Sequence, residues 1–370
     1  MPIDRDRLEK LSQPVIRLYL ELQQEILTAI VKRLKDNEGL LVDDVLAWQI
    51  EKLNQLGGLT QEVIRLIAEI AGVGVRDMVN MLREAGVEAL GPNESLLEAA
   101  KRKGANLNQP PPIRDDPTIR NILEAYERQA ADVLNLVNAT LLSQSQQVYR
   151  DIINRTTAEV LAGIKSPQQA IRDTVREWAH QGIPALIDRS GRRWGVEGYV
   201  GMVVRTMSNR VANEMQDARM DEWGVDLIEV SSHMGARPLC APYQGKIFSR
   251  SGNHPKYPPL SSTSYGKAAG LRGINCGHVF YPYIEGVSFQ RFHPYDEAEN
   301  AQVYAESQKQ RAIERAIRNA KTELKLFEEM GDGEGAAQAR ARLRRQQERM
   351  RKFIEETGRT RRYDREQIYS

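Results

Sequence analysis

The chain has 370 residues, and its 52 basic side chains stand against 50 acidic ones for a net charge of +2. This length predicts about two or three domains, each able to bury a core, and the near-neutral balance excludes a polycation that grips nucleic acid by bulk charge, leaving only local basic patches. Two cysteines exclude a disulfide framework, an aromatic content of 6% fits a helix-rich protein better than a β-sandwich, and a mean hydropathy of −0.53 leaves no window for a transmembrane helix. The opening MPIDRDRLEK has no apolar signal-peptide core, so a soluble protein made in a reducing compartment is expected.

Residues 1–105 predict a helical N-terminal domain. Leu18, Leu22, Ile26, Ile30 and Leu34 recur at every fourth position, giving a long helix with one apolar face that Asn37-Glu38-Gly39 should end. Gly57-Gly58 is expected to open a second helix, with Thr60 as its N-cap and Val63, Ile67 and Ile70 on its buried face. Gly72-Val73-Gly74 then reads as a turn, followed by a short helix through Val75, Val79 and Leu82 that stops near Gly86. Two short helices on a glycine turn are compatible with a DNA-binding helix-turn-helix, but the mixed charge of RDMVNMLREAG favours a plain helical hairpin.

A proline-rich linker is expected at 106–117, where Pro110-Pro111-Pro112 gives a stiff extended spacer. An α+β core domain is expected at 118–290. It begins with a long helix, or two nearly collinear ones, along Ile119, Ile122, Tyr126, Val133, Val137, Leu141, Val148 and Ile152. Ser166-Pro167-Gln168-Gln169 is a helix start with serine as N-cap and proline at the first helical position, and that helix carries Ile171, Val175 and Trp178. A further helix is expected from about Val196 to Trp223, and short strands over Asp226–Val230, Lys246–Ser249 and His278–Ile284. Gly191-Arg192-Arg193-Trp194-Gly195 is basic and aromatic enough to touch nucleic acid, yet reads more simply as a polar loop.

Residues 291–370 predict a C-terminal helical hairpin. Ile313, Ile317, Ala320, Leu324 and Phe327 step by four and three as in a coiled-coil seam, Gly331-Asp332-Gly333-Glu334-Gly335 breaks it, and Leu343, Met350 and Ile354 resume the apolar stripe. The second arm is arginine-rich, and Arg340, Arg344, Arg345, Arg349, Arg361 and Arg362 are candidates to contact DNA phosphates or an acidic partner, the alternative being a solvated helix face. The fold class expected overall is mainly α with a small α+β middle domain.

The chemistry-bearing residues concentrate in that middle domain. His233, Cys240, Cys276 and His278 form the pattern H-x6-C…C-x-H. Cys276 and His278, two apart, would share one face of a strand, and two such pairs together give the Cys2His2 donor set that tetrahedral zinc accepts. The alternatives are a packed cysteine pair with hydrogen-bonded histidines, or a catalytic pairing of Cys276 or Cys240 as nucleophile with His278 or His233 as base. Neither a paired-carboxylate motif, a phosphate-binding glycine loop nor a G-x-S-x-G motif is present.

The same region carries an ordered set of motifs: Gly182-Ile183-Pro184-Ala185-Leu186-Ile187-Asp188, Gly191-Arg192-Arg193-Trp194, Tyr199-Val200, Met202-Val203-Val204-Arg205-Thr206 and Asn213. It continues through EVSSHMGARPLCAPYQGKIFS (229–249), Tyr257-Pro258-Pro259-Leu260, Tyr265-Gly266, Gly270-Leu271 and Asn275-Cys276-Gly277-His278-Val279-Phe280-Tyr281-Pro282, with a tail ending FIEETGRTRRYDREQ. These stretches, spanning roughly residues 120–370, resemble the phage minor capsid protein 2 family, within a wider group that includes the Mu F-like head morphogenesis proteins of tailed phages. The resemblance implies a few-copy, portal-associated head protein working in head assembly and in DNA packaging or ejection. The implied partners are the portal protein, other head proteins and packaged double-stranded DNA, with several copies or a homo-oligomer around the portal and no membrane. The implied location is the virion, after assembly in the host cytoplasm. It leaves an alternative: a virion-carried enzyme or toxin-like domain, nuclease- or ADP-ribosyltransferase-like, that uses the His/Cys cluster together with Arg205. Three positions depart from the family pattern. Cys240 replaces a histidine and Tyr243 a tryptophan, and Gly277 stands where an arginine is expected. A histidine-to-cysteine exchange keeps zinc ligation open and removes most general-base roles, while the missing arginine argues against a phosphate site.

Overall fold

In chain order, the computed structural model, which describes residues 3–35 and 38–369, contains α1 (Arg5–Lys35), α2 (Glu38–Asp43), α3 (Val45–Asn54), α4 (Leu56–Arg102), α5 (Pro117–Leu161), α6 (Pro167–Gln181), β1 (Pro184–Ile187), β2 (Arg193–Gly195), α7 (Val196–Trp223), β3 (Leu227–Val230), β4 (Ile247–Ser249), β5 (Phe280–Pro282), α8 (Glu297–Met330) and α9 (Gly333–Thr357). The architecture is mainly α, as expected, with two small antiparallel sheets of order β1-β2 and β4-β3-β5. The chain clusters into two units, each assembled from three separate stretches. The first comprises Met1–Val15, Val75–Asp132 and Gly201–Ser307; the second comprises Ile16–Gly74, Val133–Val200 and Gln308–Ser370. The crossings fall inside α1, α5, α7 and α8 and within α4, and none coincides with the compositional boundaries at 105, 117 and 290.

Helix α1 ends at Lys35, just before the stop expected at 37–39, and α4 opens beside Gly57-Gly58, but the turn expected at Gly72-Val73-Gly74 and the stop near Gly86 are absent. Residues 56–102 form one unbroken helix, so both the helix-turn-helix and the short hairpin are overturned. An interior glycine costs a helix only about 1 kcal/mol relative to alanine, and burial of the helix offsets that. Two of these glycines are sites of close packing. A Cβ at Gly74 would lie 3.3 Å from the Tyr19 ring, and one at Gly86 would collide with Met215 Sδ. Thr60 is no N-cap; its hydroxyl donates to Leu56 O inside the helix (2.8 Å). Of the stop expected at 37–39, Asn37 lies outside the described residues, and Gly39 is part of α2.

In the first unit, β3 is the central strand, paired Ile228↔Phe248 on one side and Ile228↔Pro282 on the other, with all four of its residues buried. Its core joins Met220 and Trp223 of α7 to Ile228, Val230, Phe248, Leu260, Leu271 and Phe280. The proline-bearing stretch has neither helix nor strand up to Pro112, turns through a short 3-10 helix at Ile113–Asp115, and is tied to α7. Asn108 N–H donates to Trp223 O (3.1 Å), and Arg219 Nη1 donates to Pro111 O (3.1 Å). Behind β3 the chain turns at Gly245, where φ is +63° and a Cβ would stand 2.6 Å from the carbonyl carbon of His293. Gly245→Ala is therefore expected to destabilise by about 2–3 kcal/mol, since it combines a left-handed backbone with a clash against main chain that has no rotamer to escape into. Urea titration of the variant tests this, and a change below about 0.5 kcal/mol would refute it.

In the second unit, α6 begins as its sequence requires, Ser166 Oγ accepting from Gln169 N–H (3.3 Å) with Pro167 in the first turn. The basic aromatic segment at 191–195 is a hairpin arm rather than a free loop. β1 and β2 pair, and Asp188 in their turn accepts from Ser190, from Arg192 N–H (3.0 Å) and from Trp194 Nε1 (3.0 Å), while the Arg192 guanidinium stacks on Trp194 at 4.3 Å. Those bonds from Ser190 and Trp194 hold the Asp188 carboxyl down to about 2. The hairpin of α8 and α9 forms at the expected place, with Gly331 in the left-handed region and Asp332 capping α9 through Gly335 N–H (2.9 Å). Its apolar contacts join Ile313 and Ile317 to Met350 and Phe353. The expected seam is interrupted at Leu324, which is only half-buried, because its neighbour Glu323 is turned fully inward to meet Arg176, His180 and Arg342.

Candidate functional site

Antiparallel pairing builds the site. Because Val230 faces Phe280, the residues leaving β3 run beside those entering β5, and the ladder continues through Ser231 N–H to Val279 O and Val279 N–H to Ser231 Oγ (both 3.0 Å). This brings His233 alongside His278, their ring centroids 4.3 Å apart. The strand itself starts only at Phe280, so Cys276 and His278 lie on the approach to β5 and not within a strand, as the spacing suggested. Asn275 has a φ of +56°, and Cys276 N–H closes a turn onto Gly273 O (3.0 Å). That turn, rather than strand alternation, lets the two side chains meet: Cys276 Sγ is 3.4 Å from His278 Nδ1. Cys240 arrives from the other side on a turn closed by its N–H to Arg237 O (2.8 Å). The donor atoms of Cys240, Cys276 and His278 all lie within 4.8 Å of one another. His233 stacks on this set without belonging to it.

All three side chains are buried, at 1%, 4% and 1% exposure for Cys240, Cys276 and His278. Their surroundings are polar and specific. Arg237 reaches Ile274 O (2.7 Å) and Gly270 O (3.2 Å), and its Nη2 also points at Cys240 Sγ (3.8 Å). The His278 N–H donates to Cys276 Sγ (3.5 Å). Gln244, itself buried, accepts at Oε1 from His233 N–H (2.7 Å) and faces His278 Nε2 with the same atom (3.2 Å). Contact with Cys240, reinforced by the His278 backbone N–H, holds the Cys276 thiol well below the ordinary range; the same sulfur–sulfur contact and burial push Cys240 up. Burial, aided by His278, Arg5 and Arg237, drives His233 down to about 2, so its ring is neutral.

Helix α7 clamps the approach to β5. Asn209 and Asn213 Nδ2 donate to His278 O (3.0 and 3.4 Å), Asn213 Oδ1 accepts from Phe280 N–H (3.1 Å), and Thr206 Oγ1 accepts from Asn275 N–H (3.1 Å). Arg205, attached to the cluster in the enzyme alternative, instead donates from Nε to Asn275 Oδ1 (3.2 Å). Gly277 is where the Arg5 stem crosses: a Cβ there would sit 2.8 Å from Arg5 Cγ. Sequence reading missed Gln244, Arg237 and Asn209. Gln244 and Arg237 stand inside the quoted motif at 229–249, but only the fold shows that they face the sulfurs and the imidazole. The cysteine–histidine contact that nucleophilic catalysis requires is present, but the sulfur is sealed from solvent.

The six arginines singled out on the C-terminal arm separate into two groups. Arg340 pairs with Glu328 (2.6 Å), Arg361 with Glu366 (2.6 Å) and Arg362 with Asp364 (3.3 Å). Arg344, Arg345 and Arg349 are exposed on α9. Among the described residues, no helix is long and apolar enough to cross a membrane.

The family model described as phage minor capsid protein 2 matches residues 3–355. A "Structural protein" of Lactococcus phage LL-H is 33% identical over 372 aligned positions, which cover 95% of this chain and 98% of that protein. A "Structural protein" of Lactococcus phage mv4 is 40% identical over 116 positions, covering 31% of this chain and 94% of that protein. No solved structure matches the chain significantly.

Proposed function

The chain belongs to the phage minor capsid protein 2 family, and from that membership we propose that it is a structural component of the virion head at the portal vertex, assembled in the host cytoplasm in several copies around the portal. The observation that carries this reading is the similarity to a phage structural protein along almost the whole of both chains. The build of the chain supports it: the long helices are a scaffold, and the one concentration of nucleophilic and basic side chains in the middle region is buried. Contacts to the portal, to other head proteins and to packaged DNA during packaging or ejection belong to the same proposal. Arg344, Arg345 and Arg349 are its DNA- or partner-facing residues, because their companions Arg340, Arg361 and Arg362 are already paired within the chain. No catalytic role is assigned.

Quantitative mass spectrometry of purified particles, comparing DNA-filled heads with heads that have ejected, tests the proposal. The expected result is a low, fixed ratio to the major capsid protein in filled heads. Loss of the protein on ejection would transfer it to the injected cargo and revive the enzyme reading, for which the 3.4 Å contact between Cys276 and His278 is the supporting geometry. Absence from all particles would overturn the capsid role.

A further inference from the structure

We propose that Cys240, Cys276 and His278 form a buried zinc site, with His278 ligating through Nδ1 and Gln244 fixing that choice. The distances are the first support. With zinc–sulfur bonds of about 2.3 Å and zinc–nitrogen bonds of about 2.0–2.1 Å, tetrahedral ligation separates sulfur from nitrogen by about 3.6 Å and two sulfurs by about 3.8 Å. Cys276 Sγ and His278 Nδ1 are 3.4 Å apart, and all three donor atoms fall within 4.8 Å of one another. The set therefore needs only small side-chain adjustments to surround an ion.

Proton accounting is the second and independent support. Gln244 Oε1 takes the His233 backbone N–H, which can only donate, so this atom is the amide oxygen and not its nitrogen. An oxygen facing His278 Nε2 at 3.2 Å requires that nitrogen to carry a proton. The tautomer with Nε2–H presents its lone pair at Nδ1, on the side where the sulfurs lie. A ligating histidine whose second ring nitrogen is held by a fixed acceptor is the arrangement that orients metal-bound imidazoles. Each sulfur also faces a nitrogen donor, Arg237 Nη2 at Cys240 and the His278 N–H at Cys276, which suits two thiolates.

Charge closes the case. A buried zinc ion held by two thiolates and a neutral imidazole carries no net charge, so the interior bears little desolvation cost. Cysteine sulfurs bind zinc as thiolates, so uptake releases protons and weakens at lower pH. The His233 ring lies over His278 and covers the set on that side. Because the three ligands come from the Arg237–Cys240 turn and the approach to β5, the ion would cross-link the two ends of the long excursion between them.

The full-length chain is purified from zinc-supplemented culture, its metal counted by inductively coupled plasma mass spectrometry, and the zinc then exchanged for cobalt. One zinc per chain is expected, with thiolate-to-cobalt charge transfer whose intensity falls by about half in Cys276→Ser. Gln244→Leu, which keeps every ligand, is expected to weaken zinc about 10- to 100-fold, as loss of such an orienting partner does. A folded wild-type chain, by circular dichroism, with less than about a tenth of an equivalent of zinc and no cobalt charge transfer overturns the site. Unchanged zinc affinity in Gln244→Leu overturns the assignment of Nδ1 and its orientation by Gln244.

Discussion

Arg219→Ala is expected to lower stability by about 3–5 kcal/mol, the range for removing one partner from a buried ionic cluster. Arg219 on α7 is 2% exposed at its side chain and serves three carboxylates together: Glu94 of α4, Asp116 at 3.0 Å and Glu222 at 2.6 Å. It also donates to Pro111 O, so the proline-bearing stretch depends on it. Asp116 is doubly committed, because the same carboxylate caps α5 by accepting from Thr118 N–H (2.8 Å) and Ile119 N–H (3.3 Å). Burial alone would raise the Asp116 pKa, but its coupling to Glu222, which is itself pushed up, and the bonds from the two cap amides and Arg219 hold it below the ordinary value. Without the guanidinium, Asp116 and Glu222 face each other with no cation between them, and one of them must take up a proton or turn outward. Urea unfolding followed through Trp223, whose indole Nε1 sits 3.3 Å from the Glu94 carboxylate, reads the loss where it occurs. A loss below about 1 kcal/mol would mean that the four charged groups are solvated in the native protein. Glu94→Gln should then be the milder change, because Arg219 keeps Asp116 and Glu222.

The elements that local chemistry decides were legible in the sequence, and those that distant contacts decide were not. The Ser166 cap, the helix from Val196 to Trp223 and the reversal at Gly331 each rest on residues adjacent in the chain, and each forms where it was expected. Glycine misled in α4, because its use there is visible only from the partner: Gly74 admits the Tyr19 ring and Gly86 admits Met215. Leu324 has the correct spacing for a seam, yet the inward turn of Glu323 displaces it, and nothing local announces two arginines and a histidine from two other helices. At the candidate site, the residue types and their order revealed Cys240, Cys276 and His278. Their closeness depends on the β3–β5 register and on a positive φ at Asn275, neither of which spacing encodes. Gln244 was invisible for the same reason, since a buried glutamine is recognisable only by the two donors that share its oxygen.

Glu323→Gln is expected to cost about 2–3 kcal/mol near neutral pH and progressively less in acid. The carboxylate has no exposed surface and receives Arg176 Nε (3.1 Å) and His180 Nε2 (3.1 Å) from α6, and the Arg342 guanidinium from α9, so one side chain of α8 ties three helices together. Glutamine fills the same space and can still accept at its oxygen, but it offers no counter-charge to Arg176 and Arg342. Those two arginines keep about a quarter of their side-chain surface in water, which limits the loss to below that expected for Arg219. Burial would raise the Glu323 pKa, but the bonds from His180, Arg342 and Arg176 outweigh it and hold the value below the ordinary 4.5. A carboxyl with a depressed folded pKa contributes its full stability above the unfolded value and loses it as the pH falls through the folded one. The part of the gap that comes from the Glu323 charge should therefore persist down to about pH 4.5, then close as the carboxylate takes its proton in both folded and unfolded chains. Denaturant titrations across that range measure the gap directly. A gap that persists unchanged to about pH 3 would place its origin in packing around the side chain and not in its charge.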